Sequence, residues 1–454
     1  MNYSFWADEA YVSSIAIQWL TGKLSFINAL NMPGITYQKL YVLVLATFFK
    51  LFGINEFTAR LPSMIVFLIG TITIFFLARK LSNVYGGILS TFIYAFSHLN
   101  LAYATQAKPY GALETILLIV LFLMTQKKVN HFLIILLCTI ATLLHSIGVL
   151  IWVAYFVYSV LTWKRWNVGT FLTLAIVVIV GYIFILPIVL SSIGGEKLLP
   201  YNHFYQVIKL FAYKYSFISM SAFFGFIWSF KKNKNINLTV LIYSAVVFFM
   251  ATFRAYIFNI RYVLPLFGII FLYFGIFWTK IGEKYLPKKP WIIPLVVILL
   301  IYATGYKVVR FPQTYYNPNI DKYGDVQIAN YKDFYFQLKK RFLDYKDLYV
   351  VNDTFDVEYW YFGRYSNAYF MKFTTKPYKH KIANAMVYGS LKDFKKIMKD
   401  HPQGLLIMED WESFLPEDIK QYAKKNLKLE LRVESLREAP DDPWPLALYS
   451  WGFP

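Results

Sequence analysis

Asp8 and Glu9 stand side by side in the stretch SFWADEAYVSS, between a tryptophan and a long apolar chain. A positioned carboxylate can take the proton from an attacking hydroxyl, which is the help a poor nucleophile needs. Polar groups that could answer this pair recur far downstream. ATQAKPYGALE carries Gln106, Lys108, Tyr110 and Glu114, and LLHSIG carries His145. SSIGGEKLLPYNHFYQVIK carries Glu196, Lys197, His203 and Lys209, and FRAYIFNIRYVLP carries Arg254, Arg261 and Tyr262. Lysine offers a phosphate a point charge, and arginine offers a planar fork of donors. A carboxylate facing several such cations at a membrane surface suits an anionic, lipid-linked substrate.

Each residue also has a plainer role. An Asp–Glu pair near a chain start is commonly just solvated. Lys108, Arg254 and Arg261 could bind lipid head groups at the interface, and His145 could cap a helix. Glu114 falls four residues after Tyr110 on the same helical face, one turn inside an apolar run. An acid at that depth is a functional candidate by default, unless it snorkels outward. Arg60, in TARLPS, reads as the anchor of the helix that follows.

The elements that must position these residues follow from composition. The chain has 454 residues, 57% hydrophobic and 20% aromatic, with only 16% charged. That is too apolar for a soluble globular protein and suits an α-helical polytopic membrane protein. The net charge of +20 is uneven: residues 1–309 hold 24 Lys/Arg and six carboxylates, whereas 310–454 hold 22 Lys/Arg and 20 carboxylates. A nucleic-acid footprint would cluster on a soluble face, so none is expected. The basic excess fits membrane loops and membrane lipids. The single cysteine, Cys138, excludes an internal disulfide, and no spacing of His, Cys or carboxylates suggests zinc.

Apolar runs place about ten spans, near 58–80, 85–105, 110–126, 131–145, 146–163, 168–190, 214–230, 237–253, 262–279 and 290–309. Only the run with Gly181 and Pro187 reads as strongly interrupted. One set of loops carries Arg79, Lys80, Lys127, Lys128, Lys164, Arg165, Lys231, Lys232, Lys234, Lys280, Lys284, Lys288 and Lys289; the other carries only Lys108, Lys197, Lys209, Arg254 and Arg261. That bias makes the first set cytoplasmic. Residues 1–57 then form a first extracytoplasmic loop with interfacial helices, 58–309 a transmembrane bundle in the cell membrane, and 310–454 an extracytoplasmic domain. Within the loop, EAYVSSIAIQWLTG reads as a helix along the membrane, anchored by Phe5, Trp6 and Tyr11, and 35–53 as a second surface helix. Such a loop would pin Asp8 at the mouth of a cavity shared with Lys108 and Arg261. An outward loop this close to the start also leads us to expect a missing helix upstream.

The tail differs in kind. LYVVND (348–353), GLLIMED (404–410) and LKLELRV (427–433) read as strands, and helical patterns lie near 330–344, 390–400 and 416–425. Their alternation predicts a small soluble α/β domain. No strand is followed by a glycine-rich phosphate fingerprint.

The ordered series of motifs resembles the GT-C membrane glycosyltransferases, in particular family 39-like enzymes related to protein O-mannosyltransferases and aminoarabinose transferases. WADEAYVSSIA resembles that family's first-loop Asp-Glu. FKLFGINEFTARLPSMIVFLIGTITIFFLARKL resembles its loop exit and next span, and YATQAKPYGAL its Arg-Pro-Tyr stretch. LLHSIG and RYVLPLFGI are similar to two later segments. The resemblance implies a GT-C-like helical bundle and a polyprenyl- or dolichyl-phosphate sugar donor, used on the outer face with inversion. The acceptor would be a hydroxyl of a protein, lipid or glycan. It implies that Asp8 takes the acceptor proton with Glu9 beside it, that Lys108 stands where arginine is common, and that Arg261 and Tyr262 suit the donor phosphate. The sequence names no cofactor, and a divalent cation is left open. The chain departs from the family where NMPGITY, retaining only Pro33, replaces a His-Pro-Pro-like stretch, where no acid stands near Gln106 unless Glu114 substitutes, and where the usual first span is absent. Two other classes compete: a multi-pass transporter with an acidic interfacial loop, and a non-catalytic binder of lipid-linked sugar.

Overall fold

The computed structural model describes residues 4–5, 7–32, 35, 38–162, 175, 179, 201–255, 259–303, 329–410, 414–434 and 445–453. The run near 168–190, with Gly181 and Pro187, lies outside the described residues, as do Trp6, Glu196 and Lys197. The chain forms two compact units. One joins Met1–Ile35, Leu45–Ala59 and Val326–Pro454, and the other holds Thr36–Val44 and Arg60–Asp325.

In chain order the described helices are α1 (Ala7–Leu20), α2 (Phe26–Leu30), α3 (Lys39–Phe52), α4 (Glu56–Leu81), α5 (Val84–Phe96), α6 (His98–Ala104), α7 (Tyr110–Met124), α8 (His131–Leu144) and α9 (Leu150–Leu161). After the undescribed stretch come α10 (Phe204–Lys209), α11 (Ser216–Phe230), α12 (Lys234–Phe253), α13 (Leu264–Tyr285) and α14 (Ile292–Ala303). By length and composition α4, α12 and α13 can each cross a membrane, and the pair 204–214 and 216–230, bent by 92°, passes the same test together. Five shorter apolar helices accompany them.

One break corrects the sequence reading that only the Gly181–Pro187 run is interrupted, and a second falls at the edge of the run 214–230. The run 85–105 divides at Ser97, whose backbone is extended (φ −61°, ψ 124°). The second break is the 92° bend at Tyr215, which follows a single π-helical turn over Leu210–Lys214. Neither site has the proline or glycine that usually marks a kink.

The bundle packs through small residues. Without a hydrophobic drive between helices in lipid, close backbone approach and interhelical hydrogen bonds hold spans together. A Cβ on Gly275 of α13 would meet Ser90 Oγ at 2.1 Å and the Gly86 carbonyl oxygen at 2.7 Å, so α5 and α13 cross where both are thin. Ser90 Oγ donates to the Leu272 carbonyl across the same seam (3.2 Å). From the same stretch of α13, the Tyr273 hydroxyl donates to Asn237 Oδ1 of α12 (2.5 Å).

The C-terminal part of the first unit is the expected α/β domain. Its helices are α15 (Tyr331–Arg341), α16 (Glu358–Tyr361), α17 (Leu391–Asp400) and α18 (Glu417–Asn426). Its strands are β1 (Tyr349–Asn352), β2 (Ala368–Phe370), β3 (Tyr378–Lys379), β4 (Met386–Tyr388), β5 (Gly404–Glu409), β6 (Lys428–Val433) and β7 (Leu446–Trp451). They form one sheet, ordered β3-β4-β2-β1-β5-β7-β6, in which β4, β2, β1 and β5 run parallel. β5 is buried along its whole length, as a central strand covered on both faces must be. Phe394 and Ile397 of α17, capped by Ser390, pack with Phe370, Leu406 and Trp451 in its core.

At the carboxyl end of β5, Glu409 accepts a hydrogen bond from the Tyr331 hydroxyl (2.5 Å), and its own N–H donates to Asp353 Oδ2 (3.3 Å). Burial, and then the charge of Asp353, push the Glu409 carboxyl well above the usual carboxylate range. A carboxyl raised in the folded state contributes stability that is complete below its unfolded value, about 4.3, and is lost as pH rises through the folded value. The thermal midpoint of the protein is therefore expected to fall between pH 5 and pH 9, and to fall less in Glu409→Gln. Calorimetry at both pH values checks this; equal losses in both proteins would remove Glu409 as the cause.

Candidate active site

The acidic pair opens a helix, as its position in the sequence suggests. Asp8 and Glu9 fill the first turn of α1, where the helix dipole favours negative charge. Glu9 is fully buried, and Asp8 is half-buried. Only Asp8 therefore keeps the access that proton exchange with a bound hydroxyl demands. Ahead of the helix, Phe5 is fully buried and rests on Trp360 with ring centroids 4.7 Å apart. Tyr11 meets Phe355 edge-on at 6.2 Å, and Gln18 Nε2 donates to the Tyr365 hydroxyl (3.0 Å). Phe5 and Tyr11 thus find partners in the α/β domain, where the sequence had suggested a membrane interface.

The second unit gathers a group of cations and rings. Arg261 lies in a 3-10 turn, Ile260–Tyr262, fixed by Asn259, whose Oδ1 accepts from the Arg261 N–H (3.1 Å). The Arg261 guanidinium stands 5.5 Å from the centroid of Tyr110 and 5.4 Å from that of Tyr262, distances at which a cation is attracted to a ring face. The Tyr110 hydroxyl meets His145 Nε2 at 3.4 Å. His145 is a cap, as its plainer role suggests: it ends α8, and its Nδ1 accepts from the Ile147 N–H (3.1 Å). The next turn is tight enough that a Cβ on Gly148 would strike the Ala141 carbonyl oxygen at 2.1 Å. Lys108 is buried, its carbonyl accepts from Ser63 Oγ (3.0 Å), and its charge and that of Arg261 both act on the His145 ring. Lys108, Tyr110, His145, Arg261 and Tyr262 therefore come together from three separate stretches of sequence.

The other candidates are placed differently. Glu114 is fully buried one turn into α7, its carboxyl against Tyr94, Asn100 and the Gly268 backbone. A Cβ on Gly268 would come within 3.1 Å of Glu114 Oε1. Arg254 is the half-buried C-cap of α12, next to the strand of chain that His203 ties down through the carbonyls of Thr252 (2.9 Å) and Ala255 (3.0 Å). Arg60 is fully buried within α4. Asp8 and Glu9 belong to one unit and the Lys108–Arg261 group to the other.

Two members of the group escaped the sequence reading. Tyr103 lies 5.9 Å from Tyr110, ring to ring, and is buried. Asn259 sets the Arg261 turn, and the Asn-x-Arg spacing is the signal that could have revealed it, because asparagine caps the amide two residues on. Among the described residues no group of three or more His, Cys, Asp or Glu could hold a metal ion.

A family model described as dolichyl-phosphate-mannose-protein mannosyltransferase matches residues 40–190. No curated protein matches by sequence. Among solved structures, the chain is similar to ArnT from Cupriavidus metallidurans in the apo state, with a TM-score of 0.60 and 13% identity over 99% of this chain and 94% of that one. The same protein bound to undecaprenyl phosphate matches with a TM-score of 0.58 and 13% identity, over 98% and 93%. The Archaeoglobus fulgidus oligosaccharyltransferase tethered to an acceptor peptide matches with a TM-score of 0.50 and 10% identity, over 78% of this chain and 59% of that one.

Proposed function

We propose that this membrane protein, whose fold is that of the GT-C glycosyltransferases, transfers a sugar from a polyprenyl-phosphate-linked donor to a hydroxyl. In this reading the donor phosphate is held by Lys108 and Arg261, and Asp8 is the base. The convergence of those two cations on one tyrosine–histidine group carries the reading. Undecaprenyl phosphate, which the similar ArnT binds, is the donor lipid of choice.

The chemistry divides between the two sets of residues. Asp8 accepts the proton of the acceptor hydroxyl, and that oxygen attacks the anomeric carbon on the face opposite the phosphate. The bond from the anomeric carbon to the phosphate oxygen breaks, and the phosphate leaves with the electron pair. The added negative charge falls between fixed cations, so no general acid is needed for departure. The product is a glycoside of inverted configuration and a free polyprenyl phosphate; Asp8 returns its proton to solvent. Glu9, buried beside it, supports the loop without reacting. The loop-charge bias supports an extracytoplasmic face for this chemistry and the α/β domain; the acceptor in this reading is a protein, lipid or glycan.

The test is turnover. Membrane vesicles containing the protein, given undecaprenyl-phosphate-linked sugars with isotope-labelled sugar, are expected to yield free undecaprenyl phosphate and a labelled glycan, protein or lipid. Vesicles that bind the lipid and never release it would favour the non-catalytic binder.

A further inference from the structure

In doubly wound α/β sheets, ligands settle beyond the carboxyl ends of the parallel strands, where the strand order reverses. In this domain the order reverses between β1 and β5: the chain steps from β1 to β2 and β4 on one side, then returns to β5 on the other. The segment leaving the carboxyl end of β1 runs through Phe355 into α16. What lies against that segment is the chain's own first loop. Tyr11 touches Phe355, and Phe5 touches Trp360. Ahead of α1, the Ser4 hydroxyl accepts from the Lys332 N–H (3.0 Å).

One hydroxyl joins the parts. Tyr361 OH accepts from the Phe5 N–H (2.5 Å) and donates to Glu56 Oε1 (2.6 Å). Glu56 Oε2 in turn pairs with Lys332 Nζ (2.8 Å). Trp360 is shared as well, its ring centroid standing 5.8 Å from that of Phe49. The two ends of the first loop, residues 4–5 and Glu56, are thus tied to each other through a residue more than 300 positions away.

We propose that the α/β domain uses its ligand-binding edge as a cradle for the loop that bears Asp8, and that Tyr361 is a positioning residue for the transfer reaction. The inference rests on Asp8 acting as the base. A base placed loosely loses most of its effect, because displacements of about 1 Å can cost a hundredfold. Tyr361 fixes the backbone three residues before Asp8, and Glu56 orients the Tyr361 hydroxyl.

The experiment uses the full-length protein in lipid nanodiscs, with hydrogen exchange read over Ala7–Ser14 and turnover read with an undecaprenyl-phosphate-linked sugar. Tyr361→Phe keeps the ring and removes only the hydroxyl. It is expected to speed exchange and lower kcat, each by about tenfold, the worth of a hydrogen bond to a charged group, with donor KM within about twofold. Glu56→Gln still offers the hydroxyl an acceptor and is expected to stay near wild type. Glu56→Ala is expected to match Tyr361→Phe, and the double variant Glu56→Ala with Tyr361→Phe to be no worse than either alone. Unchanged exchange in Tyr361→Phe, faster exchange with unchanged kcat, or a rise in KM alone would each overturn the proposal. Should Asp8→Asn turn over normally, the assignment of the base fails instead, whatever the exchange rates show.

Discussion

Asp8→Asn is expected to lower sugar transfer by about a hundredfold to ten-thousandfold, the range that a positioned base contributes. The substitution keeps the shape of the side chain and its place in the first turn of α1, and removes only the capacity to take a proton. Loss should appear in kcat, because the acceptor proton moves in the transition state and not on binding. Undecaprenyl phosphate binding should change by no more than about twofold. Glu9→Gln should cost less in kcat and more in stability, since Glu9 is fully buried and Asp8 is not. Transfer at the wild-type rate by the Asp8→Asn protein, measured with saturating donor, would show that the carboxylate beside Glu9 is not the base.

The second large effect concerns the phosphate. Arg261→Ala is expected to weaken undecaprenyl phosphate binding by about tenfold to a hundredfold, the worth of hydrogen bonds to a charged group. Arg261→Lys should recover part of that loss, because it restores charge without the planar fork. It should not recover all of it: the planar guanidinium lies within reach of both the Tyr110 and Tyr262 rings, and an ammonium meets ring faces less well. Lys108→Ala should weaken binding as well, and less than additively with Arg261→Ala if both meet one phosphate. Titration of the purified variants with undecaprenyl phosphate reads these ratios; equal affinities for wild type and Arg261→Ala would separate Arg261 from the donor.

Much of the fold was legible because its signals are local. β1 and β5 carry β-branched or apolar runs, β6 alternates charged and apolar residues, and the helices around 331–341, 391–400 and 417–426 carry a helical period with caps such as Asn330 and Ser390. The strands that escaped have two or three residues each, too few to show a period, except β7. That strand, LALYSW, is buried along its length, yet it follows a stretch rich in proline and aspartate that reads as loop. The helix breaks escaped for a different reason. STFIYAFSHLNLAY contains neither glycine nor proline, and the break at Ser97 falls where His98 and Asn100 are buried inside the bundle.

The site was legible in part for the same reason. A carboxylate pair in an apolar protein and cations in the short loops between apolar runs can be read from residue types and spacing. The partners that hold them cannot. Tyr361 meets Phe5 across 356 positions, and no period or motif in either stretch points to the other. Nor does a Tyr-His-Arg group announce itself when its members stand at 110, 145 and 261.

The measurement closest to the central claim is a structure of the protein in nanodiscs with undecaprenyl phosphate bound. The account predicts phosphate oxygens at about 2.7–2.9 Å from the Arg261 guanidinium, the length of a charge-assisted hydrogen bond, with Lys108 Nζ on the same phosphate. A phosphate bound elsewhere, with Arg261 still turned onto Tyr110 and Lys108 untouched, would contradict it.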